Sequence, residues 1–211
     1  MFGIHDYWIF VATGILLNLT PGQDTLYIAG RSMAGGVREG VASALGVGVG
    51  GALHVLAATL GLSAVLATSA MAFGMVKLLG AAYLVVLGLK LLLPRKDSRP
   101  TEIATQAGMP LQSAFGRGIL TNVLNPKVAL FFLAFLPQFI EPDSAHRALS
   151  FLILGATFVL TGTSWCLVIA VLTARTSARF RRSSTAATMM QRVAGAVFVG
   201  LGIRLALERA T

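Results

Sequence analysis

Apolar positions along the chain come in blocks too long for the interior of a soluble domain. Glu39 and Lys77 enclose 37 residues without Asp, Glu, Lys or Arg, and Arg147 and Arg175 enclose another 27. Each run exceeds the roughly 20 apolar residues that cross a bilayer as a helix. The pattern predicts an all-α integral membrane protein with six spans. The first covers Tyr7 to Ala29 and is interrupted at Thr20-Pro21-Gly22; the second covers Val41 to Leu66; the third, Met71 to Leu93, stops at Pro94. The fourth, Phe115 to Ile140, contains Asn125-Pro126-Lys127 and ends at the acidic turn Glu141-Pro142-Asp143. The fifth covers Ser150 to Thr173 and the sixth Ala186 to Leu207. Arg192 and Arg204 leave the sixth an uncharged centre of 11 residues, so a five-span version stays open. Residues 94–112, polar and with three prolines, separate a first three-helix unit (1–93) from a second (113–211) within one transmembrane domain.

Composition narrows the class. Hydrophobic residues make up 55% of the 211 and charged residues 12%, against roughly 25% charged in soluble domains. The 23 glycines suit helices that approach one another closely rather than isolated anchors. A formal charge of +9 would point to nucleic acid only if gathered on a solvated module with stacking aromatics. Here Lys and Arg sit between apolar runs, so the partner they imply is the lipid bilayer and not nucleic acid. Twelve of the 17 basic residues lie in loops on one side of the six-span scheme: Arg31, Arg38, Lys90, Arg95, Lys96, Arg99, Arg117, Arg175, Arg179, Arg181, Arg182 and Arg192. The turn at Glu141 falls on the other side, and the positive-inside bias then puts both termini outside the cytoplasm. Met1 to Asp6 carries no Lys or Arg, so the first span reads as a retained helix rather than a cleaved signal. Cys166 is the single cysteine, which excludes intrachain disulfides and thiolate metal clusters.

The two halves echo each other. Gly14-Ile15-Leu16-Leu17-Asn18 recurs as Gly118-Ile119-Leu120-Thr121-Asn122, Lys77-x-x-Gly80 as Arg192-x-x-Gly195, and Gly88-Leu89-Lys90-Leu91 as Gly202-Ile203-Arg204-Leu205. With three spans in each half, the second half enters the membrane from the opposite side. That is an inverted repeat, an arrangement typical of secondary transporters.

The chemistry concentrates at the two interruptions. Thr20 before Pro21, and Asn125 before Pro126, each read as an N-cap followed by a proline in the first helical turn. Each broken span would restart as a helix with unpaired N–H groups and a positive dipole end, which attract anions. Asp24 lies three residues past Pro21 and Lys127 directly follows Pro126. A charge inside a span costs at least ~2.5 kcal/mol on insertion scales and is a functional candidate for that reason. Asn18, Gly22, Gln23 and Asn122 complete the candidate substrate or coupling set with amides and an open backbone. His54 sits on a row of small residues with Gly46 and Gly50, where it reads equally as a packed histidine bonded to a neighbouring helix or as a proton relay. Thr157, Thr161 and Ser164 read as hydroxyls satisfying backbone within the bundle. Paired carboxylates, an HExxH motif, a nucleophile elbow and a phosphate-binding loop are all missing from the chain, so an enzyme is disfavoured and no cofactor or metal is implied. Transport driven by a gradient or by exchange is favoured; a gated channel or a non-transport membrane protein stays open, as does a homo-oligomer.

The motifs Asn18-x-Thr20-Pro21-Gly22-Gln23-Asp24-Thr25-Leu26, Arg31-Ser32-Met33-Ala34-Gly35-Gly36, Lys77-x-x-Gly80-Ala81-Ala82-Tyr83 and Gly118-x-Leu120-Thr121-Asn122-x-x-Asn125-Pro126-Lys127 resemble the signature of the LysE/RhtB family of bacterial amino-acid exporters. The resemblance runs in order over nearly the whole chain. It departs at Gln23-Asp24, where the family often has Pro-Asn or Pro-Asp. It implies a multi-pass protein of the bacterial inner membrane that exports amino acids or close derivatives, with protons as the coupling ion. In that reading the helix ends and Lys127 hold the substrate carboxylate, and Asp24 holds the ammonium.

Overall fold

The computed structural model describes residues 2–62, 108–141 and 143–175, with scattered helical positions between 75 and 93 and between 192 and 203. Apart from those positions, the third and sixth expected spans, and the linker up to residue 107, lie outside the described residues. Five α-helices carry the described core: α1 (Tyr7–Leu19), α2 (Gln23–Ala57), α3 (Leu111–Val123), α4 (Pro126–Leu130) and α5 (Arg147–Arg175). α2 ends in a π-helical turn, Ala58–Leu62, and α4 runs on through Phe131–Phe135 and Leu136–Phe139.

Both expected interruptions are present, for the same steric reason. A residue before proline is pushed out of the α region. Thr20 (φ −70°, ψ 117°) and Asn125 (φ −78°, ψ 107°) are accordingly extended. The capping differs between them. Asn125 accepts from the Lys127 backbone N–H at 3.0 Å, as an N-cap does. Thr20 instead closes α1: its N–H donates to the carbonyls of Leu16 and Leu17, and its hydroxyl donates to Leu16 O at 2.8 Å. α2 starts at Gln23 behind Gly22, whose missing side chain leaves the first turn without a side-chain cap.

The charged stretch around residues 30–40, expected as a loop between the first and second spans, is helical. A single residue, Gly36 (φ 73°, ψ −166°), breaks α2 in a region of backbone space essentially reserved for glycine. Arg31 and Glu39 face each other across this break as a buried ion pair, so Arg31 belongs to the interior and not to a basic loop. By length and composition Gln23–Gly61 and Arg147–Arg175 can each cross a membrane, and α3 with the α4 segment, bent by 47°, can form a third span. Large apolar side chains such as Trp8, Leu60, Leu124 and Leu160 point outward, as a lipid-facing surface requires.

Two apolar clusters hold the helices. The larger is aromatic: Phe10 meets Phe131, Phe135 and Phe139, and Phe131 stacks on Phe158 of α5 at 4.2 Å. The smaller joins Tyr27, Ile28, Ala44 and Val47 of α2 to Cys166 and Ala170 of α5. α2 and α3 meet backbone to backbone. A Cβ at Gly46 would collide with the Phe115 carbonyl, one at Gly50 would lie 2.7 Å from Asn122 Cβ, and one at Gly118 would lie 2.5 Å from Ser43 O. The small-residue row on the second span therefore has the helix partner its spacing predicts. On the adjoining face of α2, a Cβ on Gly51 would lie 3.1 Å from Val159 of α5. The chain start docks on the acidic turn, with His5 N–H on Phe139 O (3.1 Å) and Glu141 N–H on Gly3 O (2.8 Å).

Two relations link the halves. α1 and α3 are both 13 residues long and begin and end 104 positions apart. A Cβ at Gly88 would lie 2.6 Å from Gly195 O, while one at Gly202 would lie 2.8 Å from Ala81 O. Each partner in the second contact is 114 positions from its counterpart in the first.

Candidate functional site

The breaks at Thr20 to Gly22 and at Leu124 to Asn125 come together between the two apolar clusters. A cavity of about 50 Å³ lies there, lined by Asn18, Gly22, Asp24, Asn122, Asn125 and Lys127, and walled by Leu17, Val128 and Phe158 from one cluster and Val47 and Cys166 from the other. That volume holds a few waters or a small polar head group.

Asp24 Oδ2 accepts two amide hydrogen bonds, from Asn122 Nδ2 at 2.9 Å and Asn125 Nδ2 at 3.0 Å. One amide lies before the second break and the other at it, so the carboxylate of the first half is gripped by the second. Asp24 Oδ1 and Asn122 Oδ1 are buried with no hydrogen-bond partner among the described residues. A buried acceptor left unsatisfied costs roughly 1–3 kcal/mol, so two in one cavity mark a place suited to an N–H donor from a bound group.

Lys127 makes the reciprocal crossing. Its Nζ donates to Leu17 O at 2.7 Å and Thr20 O at 2.8 Å, two carbonyls at the C-terminal end of α1. Its ammonium thus neutralises the negative end of α1 while lining the cavity beside Gly22 and the uncapped first turn of α2. Two of the Lys127 donors are thus engaged by the broken helix itself, beside the cavity where a substrate anion is expected.

Of the remaining expected residues, Thr20 is buried and contributes its carbonyl to Lys127. Pro21 sets the break. Gln23 and Pro126 are exposed and lie off the cavity wall, so the amide of Gln23 does not converge with those of Asn18 and Asn122. The sequence reading missed Thr25, Gly48, Gly51, Val159, Gly162 and Thr163. Gly48 and Gly51 lie on α2 next to the row that was read, but turned toward α5, and only the fold separates the two faces. His54 takes the packed role: Nε2 lies 3.2 Å from Asn122 O and the ring stacks on Phe132. Thr157 and Thr161 donate to carbonyls four residues earlier, as expected of hydroxyls in a membrane helix.

The sequence profile of the LysE type translocator family matches residues 15–209. The chain is 35% identical over 207 residues to an uncharacterized membrane protein of Pseudomonas aeruginosa, covering 97% of this chain and 96% of the relative. It is 30% identical over 205 residues to a leucine efflux protein of Salmonella typhimurium, again covering 97% and 96%. A membrane protein of Vibrio cholerae is 33% identical over 208 residues, 98% of this chain and 99% of the relative. No solved structure matches the chain.

Proposed function

The chain belongs to the LysE type translocator family, and on that premise we propose that it exports amino acids across the bacterial inner membrane, driven by the proton gradient. It is an integral membrane transporter and not an enzyme. The leucine efflux relatives support amino-acid cargo. The observation that carries the site assignment is the pair of buried, unpartnered oxygens on Asp24 and Asn122. An α-ammonium offers N–H donors for both. The uncapped first turn of α2, with the Lys127 charge beside it, offers the matching place for the α-carboxylate. Asn18, Gly22 and Asn125 frame that head-group site; Thr20, Pro21, Gln23 and Pro126 act through the backbone breaks they form or flank.

A zwitterion has no net charge, so the membrane potential cannot expel it without a coupled ion. One proton entering through about 100 mV releases roughly 2.3 kcal/mol, enough for about a 50-fold gradient at 1.4 kcal/mol per decade. Asp24 is the carrier in this reading: protonated, it releases the ammonium; ionised, it binds it.

The same reading treats residues 1–93 and 113–211 as inverted three-helix repeats. The matched lengths of α1 and α3 and the reciprocal contacts of Gly88 and Gly202 support it. Such a pair of units rocking about the site provides alternating access.

The test is flux through purified protein in liposomes loaded with labelled neutral amino acids. Saturable efflux that accelerates with an imposed proton gradient and collapses with an uncoupler is the expected result. Large single-channel currents, or flux indifferent to amino-acid concentration, would reject the exporter in favour of a pore.

A further inference from the structure

The head-group cavity, at about 50 Å³, is far below the roughly 300–1,000 Å³ typical of small-molecule sites. It accommodates the part common to all amino acids, so the part that distinguishes them must lie elsewhere. Most walls of the cavity are closely packed. The α2–α3 seam is closed by glycine backbones in contact, and Leu17, Val128 and Phe158 are buried in the aromatic cluster.

Asn18 differs. Its Nδ2 reaches Phe158 O at 3.5 Å and Thr161 Oγ1 at 3.4 Å, both longer than the 2.7–3.2 Å of a well-made N–H···O bond. Its counterpart 104 positions on, Asn122, is held at 2.9 Å. Gly162 lets Asn18 lie close against α5: a Cβ there would lie 3.0 Å from Asn18 Oδ1, so the amide would have to shift. The other side of Asn18 lines an open groove of about 470 Å³ between α1 and α5, where its neighbours are the apolar Ile15, Leu19, Leu160, Trp165 and Val168 with the hydroxyls of Thr161 and Ser164, and where Ile15, Leu160 and Val168 are also exposed on the outer surface. One loosely held amide therefore separates a polar cavity of head-group size from a mostly apolar groove of side-chain size.

We propose that Asn18 is a movable partition and that the α1–α5 groove behind it is the side-chain subsite, selecting uncharged aliphatic amino acids. This rests on the exporter reading. With the ammonium at Asp24, the side chain leaves past Asn18 into the groove. The apolar walls receive a branched aliphatic group and disfavour a lysine or glutamate, whose charge would be stripped of water there. Because selection acts on the side chain alone, small substrates such as alanine depend little on the groove.

Two variants of the full chain in liposomes test this, read as ratios of leucine to alanine and of phenylalanine to leucine efflux. Leu19→Trp fills the groove and is expected to lower the leucine-to-alanine ratio about tenfold, the scale of discrimination by a hydrophobic pocket. Trp165→Ala widens the groove and is expected to raise the phenylalanine-to-leucine ratio. If both ratios stay at wild-type values in folded protein, or if all substrates fall together, the groove belongs to lipid acyl chains and the proposal is overturned. Wild-type efflux of lysine equal to leucine overturns it as well. If wild type moves no amino acid, the exporter reading itself fails; moved ratios support both. Should Leu19→Trp fail to fold, the widened variant decides.

Discussion

Asp24 and Lys127 each reach across to the opposite break, and their roles separate on mutation. Asp24→Asn keeps the shape and the two amide neighbours but removes the proposed site of proton exchange. It is expected to reduce gradient-driven efflux at least tenfold, equivalent to about 1.4 kcal/mol or more, while proton-independent exchange of internal for external substrate survives. Wild-type efflux with unaltered pH dependence, at normal abundance in the membrane, would make Asp24 a purely structural residue. Lys127→Ala removes two charge-assisted bonds to the end of α1, each worth about 1.5–3 kcal/mol, so it is expected to lower the thermal unfolding midpoint as well as efflux. A Lys127 that served only substrate would leave that midpoint unmoved, and thermal scans in detergent distinguish the two. The sequence pointed to both charges because charges inside apolar runs are costly. It did not reveal that Lys127 answers the carbonyls of Leu17 and Thr20, since that pairing spans 107 to 110 positions and depends on how the breaks meet.

At the level of elements, the legible features were those with a local cause. Pro21 and Pro126 impose their breaks through the residue before them, so both interruptions could be read from sequence. The reversal of Thr20 from N-cap to C-cap could not, because a threonine hydroxyl serves either end and Gly22 decides where α2 begins. Gly36 was hidden for another reason: Arg31, Arg38 and Glu39 make the segment look like a polar loop, whereas in the fold Arg31 and Glu39 pair in the interior and helix runs on both sides of the break. The glycine row was readable, and it yields a sharp comparison. Gly46→Ala would drive a Cβ into the Phe115 carbonyl, a backbone atom that can yield only if α2 and α3 separate. Overpacking of this kind costs about 1–3 kcal/mol, so the variant is expected to lose thermal stability and membrane abundance. Gly116→Ala on α3, where a Cβ meets nothing within 4 Å, is expected to match wild type. Equal stability of the two would show that the α2–α3 seam is looser than the backbone contact implies.

For the whole molecule, orientation follows from joining a sequence count to a structural contact. The basic-residue bias predicts that the turn between α4 and α5 lies outside the cytoplasm, and residues 3–5 are hydrogen-bonded to that turn, so the chain start is expected on the same side. The break at Gly36 lies on the far side if α1 and the 23–35 segment together make one crossing, with residues 37–62 making the return. Arg38 next to that break and Asp143 in the turn are both exposed, whereas the native Cys166 is buried. After Cys166→Ser, a cysteine at position 38 is expected to react with a membrane-impermeant maleimide only in inside-out vesicles, and one at position 143 only in intact cells. Reaction of both from one side would reject the six-span scheme, and no reaction at position 38 from either side would mean that 23–61 crosses once as a single long helix. Such a helix, 39 residues at about 1.5 Å each, would be nearly twice the ~30 Å hydrocarbon core, and Gly36 would lie within the membrane. The odd number of crossings per half would then be lost, and with it the inverted relation that lets one half rock against the other around Asp24. The labelling pattern therefore tests the transport geometry through the single residue that divides α2.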